Sequence, residues 1–85
     1  MKTKSGFEYE IDPEVFDNME LVDALDEADG GNHLALSRVC LLILGSDKKK
    51  ELYDHVRTES GKVPIEAVTN EIVEIISGFK EGKNS

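Results

Sequence analysis

The run of almost uninterrupted apolar residues from 33 to 44 constrains the fold more than any other feature of the sequence. Asn32 is a typical helix N-cap and Gly45 a typical helix end, so the run predicts a helix. Its apolar side chains go almost all the way round, and such a helix is normally buried on all sides. A chain of 85 residues has few other helices with which to cover it. The run therefore predicts a mainly helical protein and favours a partner or self-association.

The N-terminal residues predict β-structure. Phe7, Tyr9 and Ile11 alternate with glutamates, and this period of two places the three apolar side chains on one face of a strand. Ser5-Gly6 is suited to the turn of a small hairpin, so residues 1–12 are predicted as a β-hairpin or a single strand. Because two strands alone are marginally stable in water, the apolar face must lie against helices or another chain.

Capping residues divide the rest of the chain into helices. Asp12 and Pro13 predict a helix start, and a capping-box pattern at Asp17 and Glu20 offers a second start, with a break near Phe16. The sequence predicts a single mainly α domain of about four helices behind the N-terminal hairpin or strand. Its predicted parts are an acidic helix (13–29), the apolar central helix (33–44), a charged helix (46–59), a C-terminal helix (64–80) and a tail (81–85).

The charge of the chain is concentrated at one end. The formal net charge is −8, and residues 1–31 carry all of the excess because acids and bases cancel in residues 32–85. Such a field repels phosphate backbones and anionic lipids, so we expect no nucleic acid or membrane partner unless the protein imitates DNA. Residues 47–77 resemble a helix-turn-helix, but the would-be recognition helix has glutamates and no Lys or Arg, which favours ordinary helix packing.

The motifs of enzymes and metal proteins are missing from the sequence. The acidic stretch that begins at Asp26 lacks the alternating pattern of a calcium loop, and Ser37 stands where that loop needs Glu. His33 and Cys40 could share a helix face, but two ligands do not make a zinc site. No serine lies in a G-x-S-x-G setting. The sequence therefore predicts a protein that is not an enzyme, with no catalytic, cofactor-binding or metal-binding residues.

Cysteine usage and hydropathy predict a cytoplasmic protein. Cys40 is the only cysteine, so no intramolecular disulfide forms, and its apolar neighbours indicate a buried thiol. No apolar stretch follows the first lysines, as a signal peptide would require. The most apolar run, residues 39–44, is far shorter than the roughly 20 residues that span a bilayer.

The C-terminal helix presents a second apolar surface. Ile72, Ile75, Ile76 and Phe79 recur at helical spacing, which is typical of core residues but also suits partner docking. Ile76 and Phe79 are the better candidates for docking because they lie near the helix end. With the strand face, the candidate partner-binding residues are Phe7, Tyr9, Ile11, Ile72, Ile76 and Phe79.

Six segments of the sequence, taken in order, resemble a known family. They are KSGFEYEID (4–12), DNMELVDAL (17–25), LLILG (41–45), ESGKVP (59–64), EIVEII (71–76) and the final GKNS (82–85). They are spread over residues 4–85, and their order resembles small tail assembly chaperones of siphophages and prophages of Gram-positive bacteria.

The resemblance implies a binding function without catalysis. Such a chaperone would coat the hydrophobic tape measure protein until tail tube subunits polymerise around it, and it would be absent from the mature virion. Members are mostly helical and often self-associate, and a contact with the tail tube protein is also implied. Related chaperones are made in two lengths by frameshifting, and Gly82-Lys83-Asn84 can be encoded with a slippery run of adenines, so we hypothesise a longer fusion product.

Two other classes stay open. An acidic regulator or DNA mimic would use the carboxylates of residues 8–29 to occupy the basic groove of a partner, and its binding would be sensitive to salt. A small structural tail or head-completion protein would instead be retained in purified virions.

Overall fold

The protein is mainly helical, as the sequence predicts. The computed structural model describes residues 1–84, with side chains for residues 1–79. A short 3-10 turn, Pro13–Phe16, precedes three α-helices: α1 (Met19–Asp29), α2 (His33–Val56) and α3 (Ile65–Asn84). Helix α2 packs against both α1 and α3. The predicted tail from residue 81 is helical backbone to Asn84, and its last residue, Ser85, lies outside the described residues.

The predicted N-terminal strand is not found in residues 1–84. Residues 1–11, which we call the N-terminal arm, form a tight turn with one isolated antiparallel bridge between Lys2 and Glu8. The backbone N–H of Thr3 donates to the Phe7 carbonyl at 2.9 Å, which helps to close the turn. Beyond the bridge, the Tyr9 N–H donates to the Met1 carbonyl at 2.9 Å and the Met1 ammonium donates to the Tyr9 carbonyl at 3.1 Å. The arm therefore has a short hairpin-like pairing but no strand.

The predicted helix 13–29 is divided in two. Asp12 caps the 3-10 turn by accepting a hydrogen bond from the Glu14 backbone N–H, and Pro13 occupies its first position. Asp17 leaves the helical conformation, and the Asn18 side chain then caps α1 by accepting from the Glu20 N–H at 3.0 Å. Because Asn18 caps a new helix so soon after Asp12 caps the 3-10 turn, the helix predicted for residues 13–29 is interrupted just after Phe16.

The predicted helices 33–44 and 46–59 form one element that ends at Val56 and not at residue 59, so the described residues contain three α-helices where the sequence predicts four. Gly45 has non-helical φ 82° and ψ 167° inside α2, which makes a kink without an intervening loop. The helix changes direction at Gly45 because these angles are not helical, and only glycine adopts them readily. Asn32 caps the start of α2, where its side chain accepts from the Leu34 N–H at 3.1 Å.

One hydrophobic core joins the arm and all three helices. The N-terminal half of α2 is largely covered by its own chain, yet Leu34 stays 85% exposed and Leu41 is also exposed. These two lie seven residues apart and so share one helix face. The core residues are Phe7, Tyr9, Leu21, Ala24, Val39, Cys40, Ile43, Leu52, Val68, Ile72 and Ile75.

Candidate functional site

The structure divides the six candidate partner-binding residues into buried and accessible groups. Phe7, Tyr9 and Ile72 belong to the hydrophobic core. Ile11, Ile76 and Phe79 are only partly buried. The arm face therefore lies against the chain's own helices, which is one of the two arrangements that the alternation predicts.

Ile11 and Phe79 meet in an apolar cleft of about 750 Å³, between the N-terminal arm, the 3-10 turn and α3. Phe79 stacks on Phe16 with ring centroids 4.2 Å apart, which joins the 3-10 turn to α3. The side chain of Met1 is 65% exposed at the cleft. We call this site the apolar cleft; its lining residues are Met1, Ile11, Pro13, Phe16, Asp17, Gly78 and Phe79.

Local sequence explains the shape of the apolar cleft. The Asp12 cap and Pro13 begin the 3-10 turn, and the turn places Phe16 where it stacks on Phe79. Gly78 leaves space that a larger residue would occupy; a Cβ there would lie 3.6 Å from the Tyr9 hydroxyl. Burial, with a smaller contribution from Glu74, raises the pKa of that hydroxyl.

Acidic side chains lie on one side of the apolar cleft. Asp17 lines the cleft, and Asp12 and Glu14 are exposed on the adjoining 3-10 turn. Among the side chains of residues 1–79, the ion pairs join other acids to the bases Lys2, Arg38, Lys48 and Arg57. The apolar floor of the cleft thus lies beside the carboxylates of Asp12, Glu14 and Asp17, which make no ion pair with another side chain of residues 1–79.

Three hydrogen bonds attach the N-terminal arm to α3, and the one from Thr3 is buried. The Thr3 hydroxyl donates to Glu71 Oε1 at 2.7 Å, and the Ser5 hydroxyl donates to the same oxygen at 2.9 Å. Glu71 is only 7% exposed. The Lys4 backbone N–H donates to Glu74 Oε2 at 2.6 Å, one helical turn further along. Because the arm supplies part of the cleft wall, these bonds also hold the cleft in shape.

A histidine joins this network through Ser5. His55 Nε2 lies 2.9 Å from the Ser5 oxygen. A hydroxyl has one proton, so a Ser5 that donates to Glu71 can only accept from His55, which then carries hydrogen on Nε2. A catalytic serine instead gives its proton to the histidine, and the acid contacts that histidine. The arrangement here is suited to holding the arm in place.

Ile72 and Ile76 lie at a separate, smaller cleft of about 240 Å³. It is formed by residues of all three helices, and Val73 is exposed beside it. The six candidate residues therefore do not make one continuous surface. The other residues that line this smaller cleft are Leu25, Ala28, Asp29, Leu36, Val39 and Thr69.

Sequence reasoning missed Met1 and Phe16 as cleft residues. Nothing in the alternation or the helical spacing links Phe16 with Phe79, because the two are far apart in the chain. The proline three positions before Phe16 was the available signal, since a short turn that starts there separates Phe16 from the helical periodicity of α1.

The Cys40 thiol is completely buried. Burial raises its pKa to about 11, and Lys49 opposes the rise only in part.

We expect Cys40 to react slowly with iodoacetamide at pH 8. A pKa of about 11 instead of 9.0 leaves about 100-fold less thiolate than in the unfolded chain. Because the folded pKa is the higher one, the stabilisation from this thiol is complete below pH 9 and is lost between pH 9 and 11. Over this range the free energy of unfolding falls by about 1.4 kcal/mol per pH unit. Urea unfolding of the protein and of Cys40→Ala at each pH measures it as the difference between the two. Equal alkylation rates with and without urea would contradict the buried position.

The described residues lack two other kinds of site. No group of three or more His, Cys, Asp or Glu side chains is placed to hold a metal ion in that part of the chain. No helix among the same residues combines the length and apolar character needed to cross a lipid bilayer.

Comparison with known proteins gives no match: no protein-family model, no curated protein and no solved structure matches the chain.

Proposed function

We propose that the protein is a phage tail assembly chaperone that binds the hydrophobic tape measure protein and keeps it soluble until the tail tube polymerises. The family follows from the order of segments that resemble such chaperones. The observation that carries the binding function is the apolar cleft between the N-terminal arm and α3, with its accessible Ile11, Phe79 and Met1. The role needs no catalytic residue and no cofactor.

The apolar cleft suits a helical client. At about 750 Å³ it falls within the roughly 300–1,000 Å³ of typical binding pockets. Amphipathic helices dock into such grooves through apolar side chains at positions i, i+3 or i+4. Ile11 and Phe79 are the primary contacts in this proposal, and Ile76 at the smaller cleft is a secondary one. Phe7, Tyr9 and Ile72 act indirectly, since they form the core beneath.

The acidic front of the chain would keep the complex dispersed. All of the net negative charge belongs to residues 1–31, and α1 carries many of these acids. Like-charge repulsion between coated clients opposes their association through uncovered apolar stripes. In this proposal the protein acts in the cytoplasm of an infected or lysogenic bacterium and is not retained in the mature virion.

Self-association is the secondary proposal for the central helix. Leu34 and Leu41 remain exposed on one face of α2. A second copy, or the tail tube protein, would cover this face without blocking the client cleft.

Co-expression tests the proposed function. We expect the soluble fraction of the tape measure protein encoded beside this gene to rise at least about fivefold when the chain is present, because its apolar stripes are covered. Phe79→Ser should lose most of this effect, whereas Leu41→Ser, which replaces an exposed apolar residue outside the cleft, should keep it. Centrifugation and quantitative blotting measure the result.

Three results would count against the proposal. An unchanged soluble fraction would exclude the chaperone function. Binding to a basic DNA-binding protein that 0.5 M salt abolishes would favour the acidic regulator, since exposed charges are screened at that ionic strength. Detection of the chain in purified virions would favour a structural tail protein.

A further inference from the structure

We propose that the apolar cleft selects client segments in which apolar anchor residues have Lys or Arg beside them. This inference rests on the proposed function and specifies the part of the client that binds. The proposed occupant of the apolar cleft is an amphipathic helix with two apolar residues three or four positions apart and basic residues next to them.

The apolar requirement follows from the floor of the cleft. Ile11, Phe16 and Phe79 present aliphatic and aromatic surface, and Gly78 leaves room beside them. The exposed Met1 side chain is flexible and polarisable, so it can adapt to anchors of different shape. Burying a charged or strongly polar anchor on this floor would leave it without a hydrogen-bond partner, which is costly.

The basic requirement follows from the acidic side of the cleft. Asp17 lines the cleft, with Asp12 and Glu14 exposed on the same short turn. The ion pairs of residues 1–79 involve other acids, so these carboxylates are available to a cation on the client. A basic residue beside the anchor would meet them as the anchor enters the cleft, and an acidic one would be repelled.

The net charge disfavours a second copy of the chain as the occupant. The excess negative charge lies in residues 1–31, so the acidic front of a second copy would be repelled by the carboxylates beside the cleft. The basic cluster Lys48, Lys49 and Lys50 is partly engaged within its own chain: Lys48 pairs with Glu51, and Lys49 donates to the Ser37 hydroxyl at 2.8 Å. A basic client segment meets no such opposition.

Binding of designed helical peptides tests the selectivity. Three fluorescein-labelled amphipathic peptides share one length: apolar anchors with lysine neighbours, the same anchors with glutamate neighbours, and lysine neighbours with serine in place of the anchors. We expect fluorescence anisotropy at low salt to show the first peptide binding at least about tenfold more tightly than the other two. Raising the salt to 0.5 M should reduce the preference for lysine over glutamate, because screening weakens exposed charge interactions.

Two charge-matched variants locate the effect. Asp17→Lys and Asp26→Lys change the net charge equally, and both positions are exposed, but only Asp17 lines the cleft. We expect Asp17→Lys to reduce the lysine-over-glutamate preference at least threefold and Asp26→Lys to leave most of it. Equal affinities for the lysine and glutamate peptides, or equal losses in the two variants, would overturn the inference.

The outcomes separate this inference from the proposed function. A tape measure protein that is kept soluble, together with peptides that bind equally, refutes the selectivity alone. Selective peptide binding without any gain in client solubility refutes the chaperone function and leaves the chemistry of the cleft supported. Concentration-dependent dimerisation that Asp17→Lys abolishes would assign the cleft to a second copy and overturn the proposed occupant.

Discussion

Replacing Glu71 by alanine is expected to lower the free energy of unfolding by about 3 kcal/mol, because hydrogen bonds to a charged group contribute about 1.5–3 kcal/mol each. The substitution removes the shared acceptor of the Thr3 and Ser5 hydroxyls. It leaves the Thr3 hydroxyl buried without that partner. Urea unfolding followed by circular dichroism measures the loss.

Two further substitutions separate this network from a general effect of charge on α3. Glu71→Gln keeps an acceptor oxygen of nearly the same shape, so we expect less than half the loss. Glu66→Ala removes an exposed carboxylate from the first turn of α3 and should cost below about 1 kcal/mol. If Glu71→Ala and Glu66→Ala cost the same, the hydrogen bonds from the arm contribute little.

Gly45→Ala is expected to destabilise the protein by about 1–3 kcal/mol through backbone strain. The φ of 82° and ψ of 167° at this residue belong to a region that only glycine enters readily. A Cβ at this position would have no atom within 4 Å, so the loss contains no steric clash with neighbours. Thermal unfolding of both proteins measures it.

Gly78→Ala is the matched control, because Gly78 lies inside α3 and has no positive φ. Alanine there should stabilise the protein by roughly 0.5–1 kcal/mol, the usual gain for replacing glycine within a helix. Unchanged stability in Gly45→Ala would mean that α2 can straighten through residue 45. In that case two groups would move away from the Phe7 ring. They are the Lys48 ammonium, whose Nζ lies 5.9 Å from the Phe7 ring centroid, and the His55 ring, whose centroid lies 5.6 Å from it.

Much of the helical framework could be predicted because its signals are local. Asp12 and Asn32 cap the elements that follow them, and Gly45 has the positive φ that a glycine after an apolar run favours. Local signals could not show that the helix resumes directly after Gly45. Whether the helix continues after Gly45 depends on how the second half of α2 packs, and Leu52 in that half is fully buried. The spacing of apolar residues in the sequence does not show this packing.

The candidate site could be predicted only in part. Ile11 and Phe79 were recognisable as apolar residues at regular spacing, and the structure brings both into the apolar cleft. The same spacing also selected Phe7, Tyr9 and Ile72, which belong to the core. Periodicity identifies which face of an element is apolar but not what covers it, because covering depends on residues distant in sequence. Phe16 was missed for the same reason.

The apolar cleft is assembled from residues 1–17 and 78–79, so a long stretch of chain separates its two walls. A ribosome must therefore release residue 79 before the second wall can reach the first. Contacts across such a long sequence separation form slowly compared with local helices, because the intervening chain must close a large loop. We therefore expect the apolar cleft to form after the local helices, and a chain that ends before residue 78 would have helices without a complete cleft.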